Sequence, residues 1–288
     1  MFRWVLFIVL SLIWGSSFIL MKLGLDVLTP FEVAAIRMLS AGTVLLPFLG
    51  KAIKNTPSKS IPFMFISGLL GSFFPAILFC LAETSIDSAM AAILNATTPL
   101  FVLLVGVIFF KRGIHWKQIL GIGLGLSGVI LLMMPTLNLS SSTFGIYAFF
   151  ILFATVMYGF NVNIANQFLM DIKPLYVTTL SFVMLIPFDI IILWKSGFAT
   201  RDFTDITLIR SLGSSFVLGV LGTAFATWLF YRLMQEAGPL FSSMVTYGIP
   251  FVAIGWGILA GEQIGFTALI ALALILLGIY LSYKKKSP

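Results

Sequence analysis

Apolar stretches of about 20 residues, following one another with only short polar links, constrain this chain more than any other feature. They lie near 3–22, 31–50, 61–82, 88–110, 116–134, 144–166, 174–194, 210–234, 239–260 and 264–283. About 20 mostly apolar residues suffice for a helix to cross the hydrocarbon core of a bilayer. Membrane strands are disfavoured, because the segments are too long and lack barrel-type alternation. Each segment must therefore be helical, with its backbone polar groups satisfied internally. The chain of 288 residues is 60% hydrophobic and 9% charged. A soluble domain of that length could not hide so much apolar surface. The sequence thus predicts an all-α membrane protein with ten transmembrane helices. The first segment reads as a retained helix, since its apolar run continues to Met21 and no A-x-A-like cleavage site follows.

The chain also repeats itself. Gly15 and Pro30 return 144 positions on as Gly159 and Pro174. Gly68, Gly71, Phe79, Pro99 and Gly106 return 151 positions on as Gly219, Gly222, Phe230, Pro250 and Gly257. The repeats are assigned to 1–140 and 141–288, five helices each. An odd number of crossings reverses the side on which the second half enters. Two inverted five-helix repeats around a central cavity follow, an arrangement that suits alternating access.

Basic residues set the orientation. With the N-terminus inside, the cytoplasmic ends carry Arg3, Lys51, Lys54, Lys59, Lys111, Arg112, Lys117, Lys173, Arg232 and Lys284, Lys285 and Lys286. The outer ends carry only Lys22, Lys195, Arg201 and Arg210. The bias places both termini in the cytoplasm. It also accounts for a pI near 9.6 without nucleic acid, since anionic membrane lipids meet that face. One histidine and one cysteine, Cys80, make no metal site, and no catalytic set or phosphate-binding loop appears. The glycines at 121, 123, 125 and 128 read as close helix packing. No cofactor and no enzymatic activity are expected.

Candidate binding residues come from helix faces and from the repeat. Asp87, Ala91, Asn95, Thr98 and Val102 share one face. Their counterparts include Ser242, Thr246 and Ala253. Such small residues equally suit a helix–helix seam, but Asn95 and Thr246 recur at equivalent depth with hydrogen-bonding groups. Pro99 and Pro250 recur mid-helix, where each removes a backbone donor and bends its helix as a hinge. Trp14 matches Tyr158, and Asn161 and Asn163 lie deep in the sixth segment without sharing a face. Arg37 is the strongest candidate for a buried functional charge, with Glu32 as its nearest candidate partner. No deep carboxylate stands out for proton coupling. The resulting set is Trp14, Arg37, Phe79, Asn95, Tyr158, Asn161, Thr246 and Tyr247.

At these residues the chain resembles an EamA-type member of the drug/metabolite transporter superfamily. Ile13-Trp14-Gly15-Ser16-Ser17-Phe18 with Lys22 is similar to the family's first helix. Pro30 with Arg37 is similar to its second. Pro99 and Pro250, with Gly261-Glu262 and Gly278-Ile279-Tyr280-Leu281, match the pattern of its halves. Lys111-Arg112 departs from the family, which often has a glutamate there; at the +151 offset Lys111 faces Glu262. The resemblance implies ten helices, with the fifth and tenth peripheral, and transport of small metabolites.

The expected function is a secondary transporter of small organic metabolites, such as amino acids, in a bacterial inner membrane. Protons and facilitated diffusion are both open as driving modes, and monomer and homodimer both fit. The rival reading is a flippase of polyprenyl-linked or other lipids, for which only Arg37 offers a phosphate partner at depth. A structural or signalling role would call for a bundle without a cavity.

Overall fold

The computed structural model describes residues 2–113, 115–133 and 142–283. Lys284, Lys285 and Lys286, and the predicted repeat boundary at 140/141, lie outside the described residues. Among the described residues there is no strand. The helices are α1 (Phe2–Gly24), α2 (Pro30–Asn55), α3 (Ser58–Ala82), α4 (Ser88–Ile108), α5 (Trp116–Met133), α6 (Ser142–Phe168), α7 (Pro174–Lys195), α8 (Ile206–Leu259) and α9 (Phe266–Tyr283). Seven candidate membrane spans are long and apolar enough to cross a bilayer, and two shorter apolar helices, Trp116–Leu131 and Phe266–Leu281, accompany them. As one straight rod, the 54 residues of α8 would run to about 80 Å against a core of about 30 Å. Gly238, at φ 83° and ψ 167°, breaks it into arms of 206–237 and 239–259. The apolar segments at 210–234 and 239–260 are these two arms.

Local sequence explains where the helices start. Thr29 caps α2 in a reciprocal box with Glu32, and Pro30 fits the first turn, where its missing N–H costs nothing. Asp205 caps α8 by accepting from the Thr207 backbone N–H.

Inside the apolar segments the helices are interrupted at matched places. Helix α4 breaks between Asn95 and Thr98, just before Pro99. The second arm of α8 passes through a 3₁₀ turn at Met244–Tyr247 just before Pro250. The carbonyls freed there are taken locally: Thr97 Oγ1 donates to Leu94 O, Thr98 Oγ1 to Asn95 O and Thr246 Oγ1 to Ser243 O. A π turn occupies Leu69–Phe73 in α3 and another Leu218–Phe225 in α8. The second has Ala226 where the first has Pro75, so the widened turn does not depend on that proline. Such turns leave carbonyls outside the regular ladder and recur at functional sites.

Helices α5 and α9 pack on each other. A Cβ on Gly278 would stand 2.5 Å from both Gly121 O and Gly125 N, and one on Gly128 would stand 2.8 Å from Ala271 O. That is the close approach expected of the glycine run. Among the described residues, neither helix contributes to the central cavity.

One register expectation is corrected at the helix ends. The left-handed residues that end α4 and α8 are Lys111 (φ 53°) and Gly261 (φ 81°). The stretch from Gly106 is thus one residue longer than that from Gly257. Arg112, rather than Lys111, stands where Glu262 stands in the second half.

Candidate functional site

The core of the molecule holds an open cavity with a volume of about 110 Å³. Its walls are contributed in pairs related by the repeat. Trp14 and Tyr158, Ser17 and Asn161, Gly71 and Gly222, Ser72 and Thr223, Phe79 and Phe230, and Asn95 and Thr246 all line it. The contacts repeat as well. Trp14 packs on Phe230 at 5.4 Å between ring centroids, and Tyr158 on Phe79 at 6.2 Å. A side chain at Gly71 would collide with the Asn161 amide, and one at Gly222 with the Ser17 hydroxyl 2.7 Å away. A side chain at Gly219 would strike the Arg37 backbone oxygen, and one at Gly68 the Ser181 oxygen. Each of these three contacts from the first half to the second thus has a mirror from the second to the first.

The polar groups are held by their own helices or by the opposite half. Trp14 Nε1 donates to Gly222 O at 3.0 Å, a carbonyl of the π turn. Asn161 accepts from the Ser67 hydroxyl, which also meets Tyr231 Oη at 2.8 Å. Arg37 Nε donates to Thr223 Oγ1 at 2.7 Å. Asn163, by contrast, turns out of the cavity and donates to Val102 O and Gly159 O.

Seven of the eight binding residues expected from sequence line this one cavity: Trp14, Arg37, Phe79, Asn95, Tyr158, Asn161 and Thr246. Tyr247 does not. It is partly buried beside the core, and its hydroxyl has no hydrogen-bond partner among the described residues. Pro99 and Pro250 sit behind the lining, at the restarts of their helices. Ser17, Ser72, Thr223, Thr227, Phe230, Tyr231 and Ser243 also line the cavity and were not anticipated. Moving Asn161 back by 144 and Phe79 on by 151 points to Ser17 and Phe230.

Two ion pairs join helix ends across the two halves. Glu32 does not pair with Arg37, as expected from sequence, but with Arg201. Arg201 Nη2 and Nε reach Glu32 Oε2 and Oε1 at 2.6 and 3.1 Å, and Nη1 donates to Val27 O. The loop after α7 folds back over the start of α2 and brings Arg201 there, while Arg37 Nε is turned to Thr223. Lys22 Nζ meets Glu262 Oε1 at 2.7 Å. The Glu262 carboxylate also accepts from Ser88 N and Ala89 N, the first N–H groups of α4. That placement stabilises a negative charge at a helix start.

Buried carboxyl groups are present after all. Both oxygens of Asp189 and Oε1 of Glu83 are shut off from solvent without hydrogen-bond partners among the described residues. Glu83 Oε2 meets Ser88 Oγ at 3.4 Å. Their depth was not apparent because Glu83 sits at a helix end in the sequence and Asp189 near one. Burial, and next the nearby Glu262 charge, raise the Glu83 pKa well above 4.5. Burial also pushes Glu262 up, but the bonds from Lys22, Ala89 and Ser88 outweigh it and hold that carboxyl below 4.5. The signs oppose each other. Glu262 adds stability above the unfolded carboxylate value, and this is lost as pH falls through its folded value. Glu83 costs stability as pH rises above the unfolded value, up to its raised folded value. Glu83→Gln is therefore expected to raise the melting temperature in detergent at pH 7 and to leave it unchanged near pH 4. An equal shift at both pH values would contradict this assignment.

A polytopic helical membrane protein with a central cavity built from repeated walls is the class this geometry defines. The EamA-like transporter family model matches twice, over residues 2–134 and 145–284, and the chain belongs to that family. It is 26% identical over 291 residues to a protein of Archaeoglobus fulgidus named an uncharacterized transporter, covering 99% of both chains. It is 25% identical over 277 residues to the Escherichia coli K12 protein named uncharacterized inner membrane transporter YedA, covering 94% of this chain and 87% of that one. A further Escherichia coli K12 relative, named a probable amino-acid metabolite efflux pump, is 24% identical over 290 residues, covering 96% and 93%. A solved crystal structure 14% identical in sequence superposes with a TM-score of 0.65 over 98% of this chain and 96% of that one, a likeness of fold.

Proposed function

We propose that the protein is a secondary transporter that moves small organic metabolites, amino acids among them, through this cavity by alternating access. The paired cavity walls carry the reading. Where the ring packing and the close glycine contacts between the halves are mirrored, two packings related by exchange of the halves share these contacts, as rocking requires. The two arms of α8, counted separately, bring the crossings to ten: two inverted five-helix repeats, 1–140 and 141–288. The interruptions before Pro99 and Pro250 serve as hinges, beside the cavity where irregular backbone is tolerated.

Both termini are placed in the cytoplasm of an inner membrane. Ion pairing strengthens the charge argument, because Lys22 and Arg201, two of the four basic residues on the outer side, are bound to Glu262 and Glu32. Glu83 and Asp189 are the carboxyls able to carry protons where coupling operates. The relative named as a probable amino-acid metabolite efflux pump supports amino acids as the first compounds to try.

The test is flux of labelled amino acids and related metabolites in liposomes holding the purified protein, in both directions. Saturable movement of at least one compound is expected. Scrambling of lipid with no metabolite flux would replace this reading with that of a flippase.

A further inference from the structure

We propose that Arg37 receives the carboxylate of the transported compound. The cavity then takes singly charged carboxylates with an apolar or aromatic tail in preference to zwitterions or amines of the same skeleton. The proposal rests on reading the cavity as a substrate site. Arg37 is the one charged residue among the described residues that line it. Its Nε–H is committed to Thr223 Oγ1 at 2.7 Å. That bond fixes the guanidinium plane and leaves both Nη groups without a hydrogen bond or ion pair among the described residues.

An arginine does not discharge itself by losing a proton. Arg37 is partly exposed and neither Nη is a buried unpaired atom, so both are open to the cavity, and an unpaired cation within a membrane marks a ligand path. A carboxylate pairs with that charge and matches the two-pronged donor geometry of the guanidinium. The Asn95 amide, whose Oδ1 accepts from Thr98, adds neutral donor capacity on the same cavity wall.

Nothing equivalent awaits an ammonium group. No aspartate or glutamate is among the described lining, so an amine meets only neutral oxygens and the repulsion of Arg37. Glu83, which feels the Arg37 charge, lies outside the lining. The tail has Trp14, Phe79 and Phe230 to pack against. The repeat argues for a single charge. The counterpart of Arg37 is Ser181, whose hydroxyl donates to Met64 O outside the cavity, so a second carboxylate finds no second cation.

Binding of 3-phenylpropionate, phenylalanine and phenethylamine to the purified protein tests this on one carbon skeleton, by calorimetry or thermal shift. The acid is expected to bind about tenfold tighter than phenylalanine, with no binding by the amine, from charge matching at an arginine with no anionic partner in the cavity. Arg37→Gln is expected to abolish binding of the acid and Arg37→Lys to retain part of it, each with an intact melting transition. Equal or tighter binding of phenylalanine or the amine to the unaltered protein overturns the proposal, whatever the variants do. Retained acid preference in Arg37→Gln overturns it too. If liposomes carry zwitterions or amines but no carboxylate, the proposal falls while the transporter reading stands. If they carry nothing, that reading itself falls.

Discussion

Thr246→Trp is expected to reduce flux through liposomes to background while the protein keeps a normal melting transition. Thr246 is buried, lies on the 3₁₀ turn before Pro250 and faces the cavity opposite the first half. Its hydroxyl bonds to Ser243 O of its own helix, so replacing it breaks no hydrogen bond between halves. The indole has open space ahead of it rather than packed core, which avoids the usual cost of an enlarged buried side chain. It fills the room a substrate needs and holds the halves apart. Thr246→Ser retains flux as the control for the site. Normal flux in the tryptophan variant, measured with the compound that moves fastest in the unaltered protein, would exclude the cavity as the route.

Arg201→Met is expected to cost about 3 kcal/mol of stability, because it strands a buried carboxylate. Glu32 has no exposed side-chain surface, whereas Arg201 keeps 29% of its own. The two partners are therefore not equivalent. Glu32→Gln leaves a guanidinium that can turn to water, and glutamine still serves the capping box at Thr29. It costs less. The double variant Glu32→Gln, Arg201→Met recovers much of the loss, since no ionised group is then left buried. Melting temperatures of the four proteins in one detergent at pH 7 give the coupling directly. Additive losses would mean that the ion pair is not what ties the loop after α7 to the start of α2.

The apolar segments, the repeat and most of the cavity were legible in the sequence, because membrane helices announce themselves by length and the repeat fixes which faces correspond. Trp14, Asn95, Tyr158 and Thr246 needed nothing further. Tyr247 was misplaced because it directly follows Thr246, and in a turn of three residues neighbouring side chains point about 120° apart, so only one of the two faces the cavity. The partners of Glu32 and Glu262 were hidden for another reason. Arg201 and Lys22 lie 169 and 240 positions away in the chain, and no local pattern encodes which helix ends meet. The depth of Glu83 likewise depends on neighbours rather than on its own segment. The shift of one residue between Lys111 and Gly261 lay in a helix end, where sequence spacing is least binding.

Exposure of the cavity to both sides of the membrane is the central claim, and cysteine labelling measures it. Asn95→Cys in a Cys80→Ala background carries one thiol, at the lining, since Cys80 is the chain's single cysteine and is buried. A thiol reagent that cannot cross membranes is applied to intact cells and, separately, to inside-out vesicles. Alternating access predicts labelling from both sides, with transported compound slowing each. Labelling from one side only, whatever compound is present, would contradict the account.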